Sequence, residues 1–173
     1  MNNQGNQTLR PVSERIVVGH DGSAGADMAL SQALWLGERL GVGVLVVRAW
    51  SIDSAPADTL VNHGRVYSFD EASAKIADLL TGETRDVIER HRAADVTFRA
   101  CLGQPASVLV TESEGALMLV VGSRGRGGFA SLMLGSISEQ CTRHARCPVL
   151  VVRPRTALNG AVDVPEKSRA NGA

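Results

Sequence analysis

The stretch from Leu119 to Ser138, LVVGSRGRGGFASLMLGSIS, constrains the fold more than any other part of the chain. Its lead-in, Leu117 to Val121, is a short apolar run of the kind that forms a parallel strand buried on both faces. The run breaks into a loop holding Gly122, Gly125, Gly127 and Gly128, and the chain resumes at Gly135-Ser136 as a helix through Ile137, Glu139, Cys141 and Arg143. Strand, glycine loop and helix N-terminus together suit an anion. Glycines let backbone N–H groups converge without a Cβ in the way, and the helix start adds unpaired donors with partial positive charge. Arg124 and Arg126 add full charges beside that cradle. A bare connection between strand and helix would need no such spacing to Gly135-Ser136, so the residues point to a nucleotide site.

The remaining elements alternate. Residues 1–13 read as a disordered polar tail rich in Asn and Gln, and 155–173 as a second one. Between them lies one domain, 14–154, of a size that buries roughly 70% of the surface its unfolded form exposes. Arg15 to Gly19 is a first strand, followed by the turn His20-Asp21-Gly22-Ser23. Met28, Leu30, Leu34, Trp35 and Leu40 recur at helical spacing up to Gly41, a natural C-terminal stop. Trp35 and Met28 read as core or near it. Val44 to Val47 is a second strand, running on to Trp50. Ser51 to Val66 reads as a long loop.

Ser68-Phe69-Asp70-Glu71 has the form of a capping box. The helix it opens is expected to place Ala72, Ile76, Leu79, Leu80, Val87 and Ile88 on one face, across Gly82. Val96 to Ala100 alternates as a third strand near an edge, Pro105 opens a short helix to about Gly115, and Pro148 to Val152 is the last strand. The order βαβαβαβαβ implies a parallel sheet sandwiched by helices with right-handed crossovers. In such sheets ligands bind beyond the carboxyl ends of the strands where strand order reverses. Asp21, Ala49 and Gly122 all follow strand ends and are expected to share that crevice.

Composition narrows the function. Aromatics make up only 3%, so the core must be aliphatic, and Lys+Arg and Asp+Glu balance at 18 each. No basic excess argues for nucleic acid or an anionic membrane as a partner. No run approaches the roughly 20 apolar residues of a membrane span, and no apolar signal segment is seen at the start. Cys101, Cys141 and Cys147 are odd in number without metal-type spacing, which fits reduced thiols and a cytoplasmic location.

These residues resemble the nucleotide-binding branch of the universal stress protein family. Its signature G-x2-G-x9-G-[ST] is matched by Gly122, Gly125, Gly135 and Ser136, its early Asp by Asp21 within VGHDGS, and its closing strand by Cys147 to Val152. The resemblance implies a flavodoxin-like, Rossmann-like α/β three-layer sandwich with a five-stranded parallel sheet of order 3-2-1-4-5. It also implies ATP in the crevice with Mg2+ bridged largely by the phosphates, and a homodimer through the last strand, Pro148 to Val152.

Carried over position by position, Asp21 would bond the ribose or adenosine end, Gly19 would line the first turn, and the Ala49 backbone would face adenine. Val121 and Gly122 would lie against the nucleotide. Gly125, Gly135 and Ser136 would hold phosphates, Ile137 would lend a backbone N–H, and Ser123, Arg124 and Arg126 would flank them. Two positions depart from the family's pattern: Leu117 stands where an Asp is usual, and His20 where the residue is usually small or apolar. A lone His in a turn is by itself unremarkable.

Three functional classes follow. One is an ATP-dependent regulatory dimer that an unidentified protein partner reads. Another is a slow ATP hydrolase, for which the sequence offers only His20, Asp21 or Ser136 to position a water, and no G-x4-G-K-[ST] lysine. The third is a dimeric interaction protein with a vestigial pocket, against which the intact glycines argue. Gly122→Val or Gly135→Glu is expected to abolish binding while the fold survives.

Overall fold

The computed structural model describes residues 15–91, 95–125 and 134–154. The two expected tails, and Arg126, Gly127 and Gly128 of the glycine loop, lie outside the described residues. Five parallel strands form the sheet: β1 (Arg15–Gly19), β2 (Gly43–Trp50), β5 (Val96–Leu102), β6 (Met118–Gly122) and β7 (Val149–Val152). Their spatial order is β5-β2-β1-β6-β7, which is 3-2-1-4-5 among the strands of this sheet. The helices are α1 (Ala24–Leu40), α2 (Phe69–Glu83), α3 (Arg85–Ile88), α4 (Pro105–Glu112) and α5 (Ser136–His144). Two further short strands, β3 (Val61–Asn62) and β4 (Arg65–Val66), pair as an antiparallel hairpin.

The period-2 alternation of the strands divides the core in two. Ile16, Val18, Val44, Val46 and Val120 face one side, where they meet Leu30, Ala33 and Leu34 of α1 and Leu80 and Val87 of the α2–α3 segment. Val17, Leu45, Val47, Leu119 and Val121 face the other, against Ala106 and Leu109 of α4 and Cys141 of α5. Both faces of the central strands are therefore buried, as an all-parallel sheet requires.

Local signals set the helix ends. The Ser23 hydroxyl accepts from the Ala26 amide at 3.2 Å, and Gly41 stops α1 in the left-handed region at φ 67°, a conformation glycine enters without a Cβ penalty. The capping box at Ser68 and Glu71 closes in both directions.

The sequence reading needs four corrections. The α2 helix does not run on to Ile88: it ends at Glu83, and α3 begins at Arg85. The buried Thr84 between them turns its hydroxyl back to Leu80 O at 2.8 Å, a side-chain bond that competes with the helix ladder. Leu79, expected on the inner face, is 45% exposed.

The segment read as a long loop is also structured. A short 3-10 turn at Ile52–Ser54 precedes the hairpin, which reverses at His63 and Gly64, both at positive φ, the geometry of a two-residue type I′ turn. This segment covers Trp50, whose indole N–H donates to Ser73 Oγ at 3.0 Å. Finally, Trp35 is not core: it is 44% exposed with the Arg39 guanidinium 5.4 Å from its ring centroid.

Candidate functional site

From β1 the chain passes outward to β2 and β5 and then returns to the other side of β1 as β6, so strand order reverses between β1 and β6. Beyond the carboxyl ends of these strands opens a cleft of about 520 Å³, within the size range of small-molecule sites. Gly19, Asp21, Ala49, Val121, Gly122, Arg124, Gly125, Gly135, Ser136 and Ile137 all line it. These are ten of the twelve positions singled out from the sequence. Arg126 lies outside the described residues.

Ser123 sits behind the lining rather than in it. It is buried, its N–H donates to Val152 O at 2.7 Å, and its carbonyl accepts from the Gly135 amide at 2.8 Å. Ser123 thus ties the two ends of the glycine loop to each other and to β7, which takes its main-chain N–H and C=O away from any ligand. His20, named from the sequence only as a residue that could position a water, completes the wall together with Ala26, Val47, Pro105, Leu109 and Ser138, which sequence reasoning missed. Pro105 and Leu109 come from α4, an element with no motif to signal it.

The wall of the cleft has two chemically different parts. One, the apolar slot, is formed by Val47, Val121 and Leu109, which belong to one apolar cluster. The other is the start of α5, where Ser136, Ile137 and Ser138 all line the cleft. The first N–H groups of a helix have no intrahelical acceptor and carry partial positive charge, so three consecutive donors are available there. The Ser138 hydroxyl donates to Gly122 O at 2.6 Å and fixes the helix start against the end of β6.

The glycines differ in what they do. A Cβ on Gly125 would stand 2.5 Å from Asp21 Oδ2, and one on Gly135 would be 3.4 Å from its nearest neighbour, Ser123 O. Gly122 is another case. Its Cβ would lie 2.8 Å from Gly25 O and 2.9 Å from Gly25 C, so it lets the end of β6 pass close to the backbone of the first turn of α1. The expectation that Gly122→Val leaves the fold intact is therefore corrected, because a side chain there pushes on main chain.

Asp21 is exposed, and its Oδ1 accepts from the Ser23 amide at 3.0 Å. It forms an Asx turn and lines the cleft at once. Beneath it His20 is buried. Its Nε2 lies 2.9 Å from Asp27 Oδ1, while its Nδ1 accepts from Arg48 Nη2 at 3.2 Å and from the Gly22 amide at 3.3 Å. With two donors aimed at Nδ1, the ring is neutral and carries its proton on Nε2. Burial, opposed by the Asp27 hydrogen bond and aided by the Arg48 charge, holds His20 below the ordinary imidazole range.

The unfolded chain protonates this residue near pH 6.5. Stability from His20 is thus complete above that value and is lost as pH falls from it towards the lowered folded value. Urea midpoints measured from pH 7.5 to 5.5 are expected to fall, with a smaller fall for His20→Asn; parallel profiles would remove His20 as the cause. The thiols of Cys101 and Cys141 are each pushed up to about 11, first by burial, so neither is a nucleophile at neutral pH.

Among the described residues no helix is long and apolar enough to cross a membrane. The universal stress protein family model matches residues 13–153. A universal stress protein of Mycolicibacterium smegmatis is 34% identical over 142 residues, covering 81% of this chain and 46% of that protein. The chain thus spans about half the length of the curated relatives it matches.

Among solved structures, a universal stress protein in complex with cAMP superposes with a TM-score of 0.60 at 23% identity, covering 83% of this chain and 98% of that one. The universal stress protein from Archaeoglobus fulgidus in complex with dAMP gives 0.53 at 20% identity, covering 82% and 98%. Family match, strand order and the glycine-lined cleft agree: the chain belongs to the universal stress protein family.

Proposed function

We propose that this chain is an ATP-binding regulatory protein that takes the nucleotide into the cleft with adenine in the apolar slot and the phosphates at the start of α5. The observation that carries this reading is the convergence of three helix-start amides, from Ser136, Ile137 and Ser138, with Cβ-free positions at Gly125 and Gly135 opposite Asp21. No described residue fills the cleft, which favours a binder over a vestigial pocket. The complexes of two fold relatives with cAMP and dAMP support the adenine nucleotide class.

In this reading Asp21 accepts from a ribose hydroxyl, Arg124 flanks the phosphates, and the amides from Ser136 onward bind the phosphate oxygens. Among the described residues no group of three or more His, Cys, Asp or Glu could hold a metal, so Mg2+ would be carried in chiefly by the phosphates. Little or no turnover is expected: among the described residues at the cleft, His20 is committed through both ring nitrogens, and Asp21 is engaged by the ribose in this reading, so neither stands ready as a general base.

The final strand β7 pairs with β6 on one side and leaves an apolar, half-buried edge, Val149–Val152, on the other. Pairing with a second copy would cover that edge, and a dimer mass by light scattering checks it.

Chromatography of the supernatant after denaturing the purified chain is expected to release an adenine nucleotide. Calorimetry with ATP and Mg2+ is expected to show binding that Asp21→Ala weakens by roughly fivefold to a hundredfold, the range for losing one partner of a ligand hydrogen bond. Stability should change little, since Asp21 is exposed. Unchanged affinity would remove Asp21 from the site. Turnover at ordinary enzyme rates, on the order of 1–10³ per second, would overturn the regulatory assignment.

A further inference from the structure

We propose that Arg48 and His20 are positioning residues for the cleft, forming a lock that holds the β1–α1 turn with Asp21 facing the ligand and that opens when His20 Nδ1 takes up a proton. The inference rests on the reading of the cleft as an adenine nucleotide site.

The lock is built from three elements around the turn. Arg48 leaves β2 between Val47 and Ala49, both of which line the cleft. Its side chain is buried and spends its donors on the turn: Nε donates to His20 O at 3.1 Å and Nη2 to His20 Nδ1 at 3.2 Å. Nη2 also donates to Glu83 Oε2 at 2.7 Å, at the end of α2. The His20 amide in turn donates to Val47 O at 2.9 Å. His20 is therefore held by main chain and side chain at once, and Asp21 follows it with no intervening residue. The anchored residue before it helps to aim the carboxylate at the cleft, beside the bond that Asp21 Oδ1 accepts from the Ser23 amide.

The same geometry makes the lock sensitive to protons. The charged groups facing His20 are Asp21 from its own turn, Asp27 from α1 and Arg48 from β2, with Glu83 of α2 behind the arginine. A proton on Nδ1 turns an acceptor into a donor, and the two donors now aimed at it, the Arg48 guanidinium and the Gly22 amide, must withdraw. Arg48 then gives up one of its two grips on the turn, and Gly22, the residue after Asp21, loses its anchor.

A merely electrostatic role makes a different forecast. If Arg48 acted only as a charge near an anionic ligand, neutralising its partner with Glu83→Gln would strengthen binding. If it acts as a lock, Glu83→Gln slackens the guanidinium and weakens binding. Glu83 does not line the cleft and is 45% exposed in its side chain, so this variant is expected to fold even where Arg48→Met does not.

The test uses the full chain with ATP and Mg2+ in calorimetry, and nitrogen-15 NMR of the ligand-free protein. At pH 7.5, Arg48→Met is expected to weaken binding by roughly tenfold or more and Glu83→Gln by roughly threefold, in line with the loss of buried hydrogen bonds. Between pH 7.5 and 5.5 the wild type should lose affinity more steeply than His20→Asn; comparing the two cancels the titration of the nucleotide itself. Without ligand, NMR should show His20 protonated on Nε2, and a Gly22 amide whose exchange protection falls in Arg48→Met or Glu83→Gln.

Wild-type affinity in Glu83→Gln together with unchanged Gly22 protection would overturn the lock, as would identical pH profiles for wild type and His20→Asn. If the wild type binds no adenine nucleotide at any pH, the nucleotide reading fails, and Gly22 protection alone decides the lock.

Discussion

Gly135→Glu is expected to abolish nucleotide binding, lowering affinity by at least about a hundredfold, while leaving the fold intact. Gly135 is the N-cap of α5 with φ −75° and ψ 157°, an extended conformation open to any L residue. An added Cβ meets nothing closer than Ser123 O at 3.4 Å, so the backbone does not resist substitution. A carboxylate there also sits favourably at the positive end of the helix dipole. The phosphates lose on both counts, because the side chain fills their space and repels their charge. Two like charges about 4 Å apart repel by about 4 kcal/mol at an effective dielectric constant of 20.

Gly125→Ala forms the second arm of this prediction. Its Cβ would stand 2.5 Å from Asp21 Oδ2, and a flexible carboxylate can step aside, so folding survives while the Asp21 contact is lost. Calorimetry with ATP and Mg2+ beside a circular dichroism melt checks both variants. Retained affinity in a folded Gly135→Glu protein would mean that the phosphates do not sit at the start of α5.

Leu34→Ala is expected to destabilise the chain by about 2–5 kcal/mol, the range for a buried leucine truncated in a close-packed core. Leu34 has no exposed surface and lies among Ile16, Val18, Val44 and Val120 on the α1 side of the sheet. At about 2–4 °C of melting temperature per kcal/mol for a domain of this size, the loss is roughly 4–20 °C. Trp35→Ala, one residue along, is expected to cost no more than about 1 kcal/mol, near the worth of an exposed cation–π contact. Urea unfolding of the two variants checks the pair. Equal losses would mean that α1 is rotated about its axis from the orientation described.

The Leu34–Trp35 pair also shows where sequence reading ends. Both residues fall in an apolar stretch, and helical spacing alone admits Trp35 to the inner face. Only the seating of α1 on β1 and β6 decides that Leu34 points in and Trp35 out. Thr84 is similar: Gly82 drew attention as the weak point of the long helix, yet the helix ends one residue after it, where a buried hydroxyl turns back on Leu80. In the segment after Trp50, polar composition hid a hairpin whose turn is carried by His63 and Gly64.

The candidate site was legible wherever its chemistry is local. A glycine loop beside a helix start needs only neighbours in the chain, so Gly122, Gly125, Gly135 and Ser136 could be named from spacing, and Ile137 followed from the family resemblance. The alternation of strand and helix carried Asp21 and Ala49 to the same rim, since every parallel strand ends on the same side. Ser123 shows the limit, for nothing local indicates that its amide and carbonyl are taken by Val152 and Gly135.

The order of elements, the parallel sheet and the amide cradle were thus determined by sequence alone, because periodicity and Cβ-free positions act within a few residues. Tertiary structure alone decided the support behind the turn that carries Asp21. Arg48 meets His20 across 28 residues of chain and Glu83 across 35, and no pattern in the sequence joins them. Their meeting is set by sheet register and by the seating of α2, which bring the half-exposed Glu83 to the buried Arg48 and His20, two polar groups that must find partners.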